Sequence, residues 1–243
     1  MIKTFKNAVT KSKAVPGIKL KISSNDHFIV TNNGKRILVD TGCPFDINDI
    51  NLQRFPGLRQ HLKGACEPLN THIDEFWGME FLAQHKVLFD YQKETLTVAD
   101  PNDNLTVDHP VAELPMHNVY GPARIIVTMN IAGIDRNILF DSGACIANYL
   151  TKSITNTEKY LRTVTDYHPQ IGFYDVDLYE HFVTYPVKIG NETVSIPFGF
   201  QPAKVEPHVK AAGADGVIGI GLYEKFQILV DYPNRRLVLG KYE

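Results

Sequence analysis

One short pattern occurs twice in this chain, and an internal repeat restricts the possible architectures more than any other sequence signal. Residues 28 to 42 read FIVTNNGKRILVDTG and residues 129 to 143 read MNIAGIDRNILFDSG, a constant offset of 101. Ile37/Ile138, Leu38/Leu139, Asp40/Asp141 and Gly42/Gly143 coincide. Each copy reads as a β-hairpin. Asn32-Asn33-Gly34 and Gly133 tolerate the positive φ of a tight turn, and the Ile-Leu-Val or Ile-Leu-Phe run that follows suits a strand buried on both faces. Each acid therefore leaves the end of a rigid strand.

A second block repeats as well. FWGMEFLAQHKVLFDYQKETLTV (76 to 98) matches VIGIGLYEKFQILVDYPNRRLVL (217 to 239) at an offset of 141, with Gly78/Gly219, Leu88/Leu229, Asp90/Asp231, Tyr91/Tyr232 and Leu96/Leu237 in common. The block predicts a short apolar strand running into Gly, one or two helical turns, then a hairpin turning at Gln92 to Thr95 or Pro233 to Arg236. The offsets differ by 40, so the second half carries about 40 residues more. Those residues, 165 to 200, read as β-rich, with one turn at Gly190-Asn191 and another around Tyr174 to Asp177. Their counterpart in the first half, DINDINLQRFPGLRQHLKGACEPLN, is helix-like and broken at Pro56-Gly57. The expected organisation is a first lobe at 1–99, a Pro-, Asn- and Asp-rich linker at 100–121 and a second lobe at 122–243.

Composition decides which partners are worth considering. The chain has 243 residues, 44% of them hydrophobic, enough for a substantial core, and its net charge of -2 supplies no field for nucleic acid or anionic lipid. No run reaches the roughly 20 apolar residues of a membrane span, and the polar start MIKTFKNAVTKSK is unlike a secretory leader. A cytoplasmic protein is expected, or a secreted or periplasmic one if a leader has been removed. Cys43, Cys66 and Cys145 are too few and too widely spaced for a disulfide framework or a zinc set. Of the nine histidines, those at 61, 72, 85, 109, 117, 168, 181 and 208 show no metal-ligand spacing and read as surface residues.

Asp-Thr-Gly and Asp-Ser-Gly at strand ends make chemical sense together if the two copies meet across a pseudo-twofold axis. Gly42 and Gly143 let each backbone approach the opposite loop, and Thr41 and Ser142 can tie the loops together by hydrogen bonds. The carboxyls then face each other and share one proton. One such tripeptide arises by chance in about one chain in ten of this size and is then a turn-forming acid, but two copies with matching downstream blocks are far more specific. Asp90 and Asp231 also recur, yet at a hairpin start, where turn hydrogen bonds are the natural role.

Asp40-Thr41-Gly42 and Asp141-Ser142-Gly143, with Phe76-Trp77-Gly78 and Val217-Ile218-Gly219, resemble the aspartic proteases of the pepsin and retropepsin type. The resemblance covers most of residues 17 to 99 and 122 to 240. It implies a mostly β fold: two pseudo-symmetric lobes of the acid-protease double barrel with a few short helices. It also implies an aspartic endopeptidase whose catalytic dyad is Asp40 and Asp141, supported by Thr41, Gly42, Ser142 and Gly143. No cofactor or metal is then required, the partner is a polypeptide substrate, and the chain works as a monomer without nucleic acid or membrane. A flap hairpin is expected in the second lobe near Gly172, Phe173 and Tyr174, because the first lobe has only 38 residues between Asp40 and Gly78, against 78 between Asp141 and Gly219. Two features depart from the family: Cys43-Pro44 follows the first triplet, and the flap of two-lobed pepsins belongs to the first lobe. These leave two alternatives, a catalytically silent module that binds peptide or protein in the same cleft, and a homodimeric protease built from the second half. Trp77, Cys43 and Cys145 are expected to fill the core.

Overall fold

The computed structural model describes residues 18–22, 27–117, 124–144, 148–151, 160–168, 172–179 and 183–242. The first half runs β1 (Ile18–Ile22), β2 (Phe28–Asn32), β3 (Lys35–Val39), α1 (Asp49–Arg54), α2 (Leu58–Leu69), β4 (Glu75–Trp77), α3 (Met79–Leu82), β5 (Lys86–Asp90) and β6 (Thr95–Ala99). After β7 (Pro110–His117), the second half runs β8 (Ile125–Ile131), β9 (Ile134–Phe140), β10 (Tyr149–Leu150), β11 (Tyr160–His168), β12 (Gly172–Tyr179), β13 (Val183–Ile189) and β14 (Glu192–Phe200). It ends with α4 (Glu206–Ala211), β15 (Gly216–Ile218), α5 (Ile220–Tyr223), β16 (Phe226–Asp231) and β17 (Arg236–Lys241). The protein is mostly β with a few short helices, as the sequence predicts.

Both repeated blocks fold alike, for the reasons legible in their residues. The β2–β3 hairpin turns at Asn33 and Gly34, with φ of 50° and 77°, and the β8–β9 hairpin at Ala132 and Gly133, with φ of 52° and 84°. Two successive positive φ values match the turn twist to the right-handed twist of the strands. The second hairpin is longer, seven residues a strand against five. β4 pairs parallel with β3, and β15 pairs parallel with β9. A carboxylate fastens each C-terminal hairpin of the block: Asp90 Oδ1 accepts from the Lys93 amide at 3.0 Å, and both oxygens of Asp231 accept from Asn234 Nδ2 at 2.9 and 3.0 Å. The recurring Asp90 and Asp231 are therefore structural.

The halves share one sheet, in which β7 pairs with β17, β17 with β16, β16 with β5 and β5 with β6. The stretch expected to link the lobes thus contributes β7, which also pairs with β8. The core is continuous across the halves. Tyr223 is fully buried and lies 4.4 Å from Phe28, 5.7 Å from Phe89 and 5.5 Å from Phe140 between ring centroids. Each fully buried ring of this kind contributes about 1.5–3 kcal/mol. Trp77 packs on this core beside Phe81, at 4.5 Å. Helices cover the outer faces of the hairpins: α1 and α2 bury Ile29, Leu38 and Phe76, while α4 buries Ile126, Leu139 and Val217.

The helix-like insert of the first half forms α1 and α2, broken at Phe55 to Gly57. In the second half, β13 and β14 turn at Gly190-Asn191 as expected. The turn expected at Tyr174 to Asp177 is instead continuous strand. β11 and β12 pair from Tyr160↔Tyr179 to His168↔Gly172, so residues 174 to 177 do not turn. The alternation in Gly172 to Tyr179 outweighs the turn preference of Asp175 and Asp177.

Candidate active site

The two Asp-containing loops sit at equivalent places and are held by equivalent bonds. The Asp40 amide donates to the Trp77 carbonyl at 3.0 Å, as the Asp141 amide does to Ile218. The Met79 amide donates to the Cys43 carbonyl at 2.8 Å, as the Ile220 amide does to Ala144 at 3.1 Å. Gly78 and Gly219 pass under these loops with no room for a side chain. A Cβ on Gly78 would lie 2.8 Å from the Cys43 carbonyl oxygen and closer still to that of Phe45. One on Gly219 would lie 2.5 Å from the Asp141 carbonyl oxygen and closer still to that of Ala144.

Thr41 and Ser142, both fully buried, lock the loops to each other reciprocally. The Thr41 amide donates to Ser142 Oγ at 2.8 Å, and the Ser142 amide donates to Thr41 Oγ1 at 2.7 Å. Each hydroxyl then donates onward across the junction, Ser142 Oγ to the Val39 carbonyl at 3.0 Å and Thr41 Oγ1 to the Phe140 carbonyl at 3.4 Å.

This lattice brings Asp40 and Asp141 together, each carboxyl lying against the glycine of the opposite loop. The loops are so close that a Cβ on Gly42 would lie 2.6 Å from Asp141 Oδ1, and one on Gly143 would lie 2.9 Å from Asp40 Oδ1. Asp40 Oδ1 accepts from the amides of Gly42 at 2.7 Å and Cys43 at 3.1 Å, and Asp141 Oδ1 accepts from Gly143 at 2.7 Å. Asp40 is buried, whereas Asp141 is only half-buried, so the pair opens on the Asp141 side. Burial first, and then the adjacent Asp141, hold the Asp40 carboxyl well above the usual carboxylate range despite the two amides.

Cys43 is buried, and its thiol donates to the Phe45 carbonyl at 3.1 Å. Burial and the Asp40 charge push that thiol up, which makes it a filler rather than a nucleophile. Cys145 lies outside the described residues. Gly172 stands at the start of β12 with φ of 75°, and the backbones of Phe173 and Tyr174 pair with Tyr167 and Asp166. The β11–β12 hairpin of the second half reaches α2 of the first.

Two residues that the repeat did not reveal complete the loops. Asp46 Oδ1 accepts from the amides of Gly78 at 2.9 Å and Phe81 at 3.2 Å. Asn148 Oδ1 accepts from those of Gly219 and Gly221, both at 3.1 Å. Among the described residues, no three His, Cys, Asp or Glu side chains gather as metal ligands would.

No protein-family model matches this chain, and no curated protein matches it. Among solved structures it is similar to an aspartic proteinase from Irpex lacteus, at 11% identity and a TM-score of 0.36. The similarity covers 65% of this chain and 56% of that enzyme, so this chain spans little more than half of that enzyme's length.

Proposed function

We propose that the protein is an aspartic endopeptidase in which Asp40 and Asp141 jointly activate a water molecule. The observation that carries this reading is the convergence of two carboxyls on interlocked loops, each lying against the glycine of the other loop. Two carboxyls so placed hold a single proton between them near neutral pH. The ionised member takes a proton from a water bound on the open side. The protonated member donates to the scissile carbonyl and stabilises the tetrahedral intermediate as charge develops on its oxygen. Thr41, Gly42, Ser142 and Gly143 hold the acids in register and do not touch the reacting atoms.

The substrate is a polypeptide bound in extended form, mainly through its backbone, with apolar residues flanking the cleaved bond. The β11–β12 hairpin, reaching from the second half to α2, serves as the flap that excludes water, with Gly172, Phe173 and Tyr174 at the start of β12. Both acids belong to one chain, which favours a monomer over a dimer of second halves.

The test is cleavage of a broad peptide library at pH 4 to 7 by the protein and by Asp40→Asn and Asp141→Asn. Cleavage by the wild type, and loss of it in both folded variants, is the expected result. Turnover retained in either variant refutes the dyad. A wild type that binds a statine-type peptide but cleaves nothing is instead a silent peptide-binding module.

A further inference from the structure

Asp46 is a buried carboxylate for which the chemistry proposed above has no use. It closes the loop that begins at Asp40, and it grips the element passing beneath that loop. Its Oδ1 holds the Gly78 and Phe81 amides, and its own amide donates to Glu80 Oε2 at 2.9 Å. Its carbonyl accepts from Asn51 Nδ2 at 3.0 Å, tying in α1 as well. Asp40 is held at one end of this loop by the Trp77 carbonyl, and the loop's middle is held through Cys43 to Met79. Gly78, between those two anchors, is the residue that Asp46 grips. A shift of the Asp46 carboxyl therefore moves the strand end on which Asp40 is seated.

The second half solves the same packing problem with a group that does not titrate. Asn148 Oδ1 accepts from the amides of Gly219, the counterpart of Gly78, and Gly221, while its Nδ2 donates to the Pro197 carbonyl at 3.1 Å. The two clamps share the glycine amide and differ in the second amide and in charge.

Resting on the protease reading of the same dyad, we propose that Asp46 is a positioning residue for Asp40. Its carboxyl, accepting from the Gly78 and Phe81 amides, pins that segment under the first active loop and so seats the strand end that carries Asp40. Burial, with Glu80 and then Glu75 as neighbouring like charges, pushes its pKa up to about 6, against the pull of the Phe81 and Gly78 amides. The two amides favour its ionised form, in which it accepts from them more strongly.

The test compares wild type, Asp46→Ala and Asp46→Asn. Asp46→Ala removes the acceptor and is expected to lower kcat by about tenfold or more with little change in KM, since misplacing a reacting group costs the chemical step. Asp46→Asn reproduces the Asn148 clamp. It is expected to recover kcat. Failure of Asp46→Asn to regain any of the kcat lost in Asp46→Ala overturns the proposal, as does full kcat in Asp46→Ala.

Carboxyl ¹³C titration of aspartate-labelled protein, assigned with Asp40→Asn and Asp141→Asn, separates this proposal from the protease reading. It follows the paired titration whether or not any peptide is cleaved. The paired titration is expected to shift in Asp46→Ala and to return in Asp46→Asn. If it is identical in wild type and Asp46→Ala, Asp46 does not position Asp40, even if the protein proves to be a protease. If it shifts as expected and no peptide is cleaved, the positioning stands and the protease reading falls.

Discussion

Replacing Ser142 with alanine tests the interlock at its most exacting point. The substitution takes the acceptor from the Thr41 amide, bonded at 2.8 Å, and the donor from the Val39 carbonyl, bonded at 3.0 Å. Thr41 and Ser142 are both completely buried, so no water can take over either bond. A buried polar group left without its partner costs about 1–3 kcal/mol, so two of them cost about 2–6 kcal/mol. That is a large share of a stability that is typically about 5–15 kcal/mol. Thr41→Val removes the mirror-image bond from the Ser142 amide at 2.7 Å, together with the longer one to Phe140 at 3.4 Å. Once either variant has let the loops part, the remaining bonds are already weakened. The double variant should thus cost less than the sum, by about 0.5–3 kcal/mol. Urea titration of the four proteins, with slopes compared to confirm a common native state, measures this directly. A Ser142→Ala protein within about 0.5 kcal/mol of wild type, or strict additivity of the pair, refutes the interlock as a load shared between the loops.

The same structure makes two further predictions. In the unfolded chain Asp40 ionises near 3.8, whereas in the folded protein burial and Asp141 hold it well above that. The folded state keeps a proton that the unfolded state has released, so stability is fullest below pH about 4 and falls as pH rises through the folded titration. Asp40→Asn carries no such proton, and should melt higher than wild type at pH 7, with the gap closing near pH 4; melting curves showing a constant offset contradict this. Gly42→Ala and Gly78→Ala should part company. The first meets only the end of the Asp141 side chain, which can rotate away, leaving a folded protein with a broken pair and no affinity for a statine-type inhibitor. The second meets two backbone carbonyls and should cost about 1–3 kcal/mol or more in thermal unfolding, so wild-type stability in Gly78→Ala contradicts the packing described.

The features legible in the sequence were those with local causes. Asn33-Gly34 turns because Asn and Gly accept positive φ, and Gly133 does the same for the second hairpin although Ala132 beside it has no such preference. Gly78 and Gly219 recur because two backbones cross there. The meeting of Asp40 and Asp141 was readable because each acid carries its own hydroxyl and glycine beside it. Asp46 and Asn148 were not readable, because the offset that aligns the triplets sets Asp46 against residue 147, one position short of its partner. Only the burial of both side chains against the equivalent glycine amides discloses the match. Asp175 and Asp177 favour turns in the sequence, and only their cross-strand pairing with Thr165 and Thr163 overrides that preference.

The placing of β16 beside β5 has a consequence for how the chain is assembled during synthesis. The open side of β5, carrying Val87 and Leu88, is paired by Val230 and Leu229, residues more than half the chain's length downstream. Until those residues leave the ribosome, this flat apolar margin of the first half has no native neighbour and can pair with any strand it meets. So distant a closure also makes the last step of folding slow, because the intervening chain must be ordered before the contact forms. The seam that joins the halves is therefore the point at which a nascent copy is most exposed to misassembly.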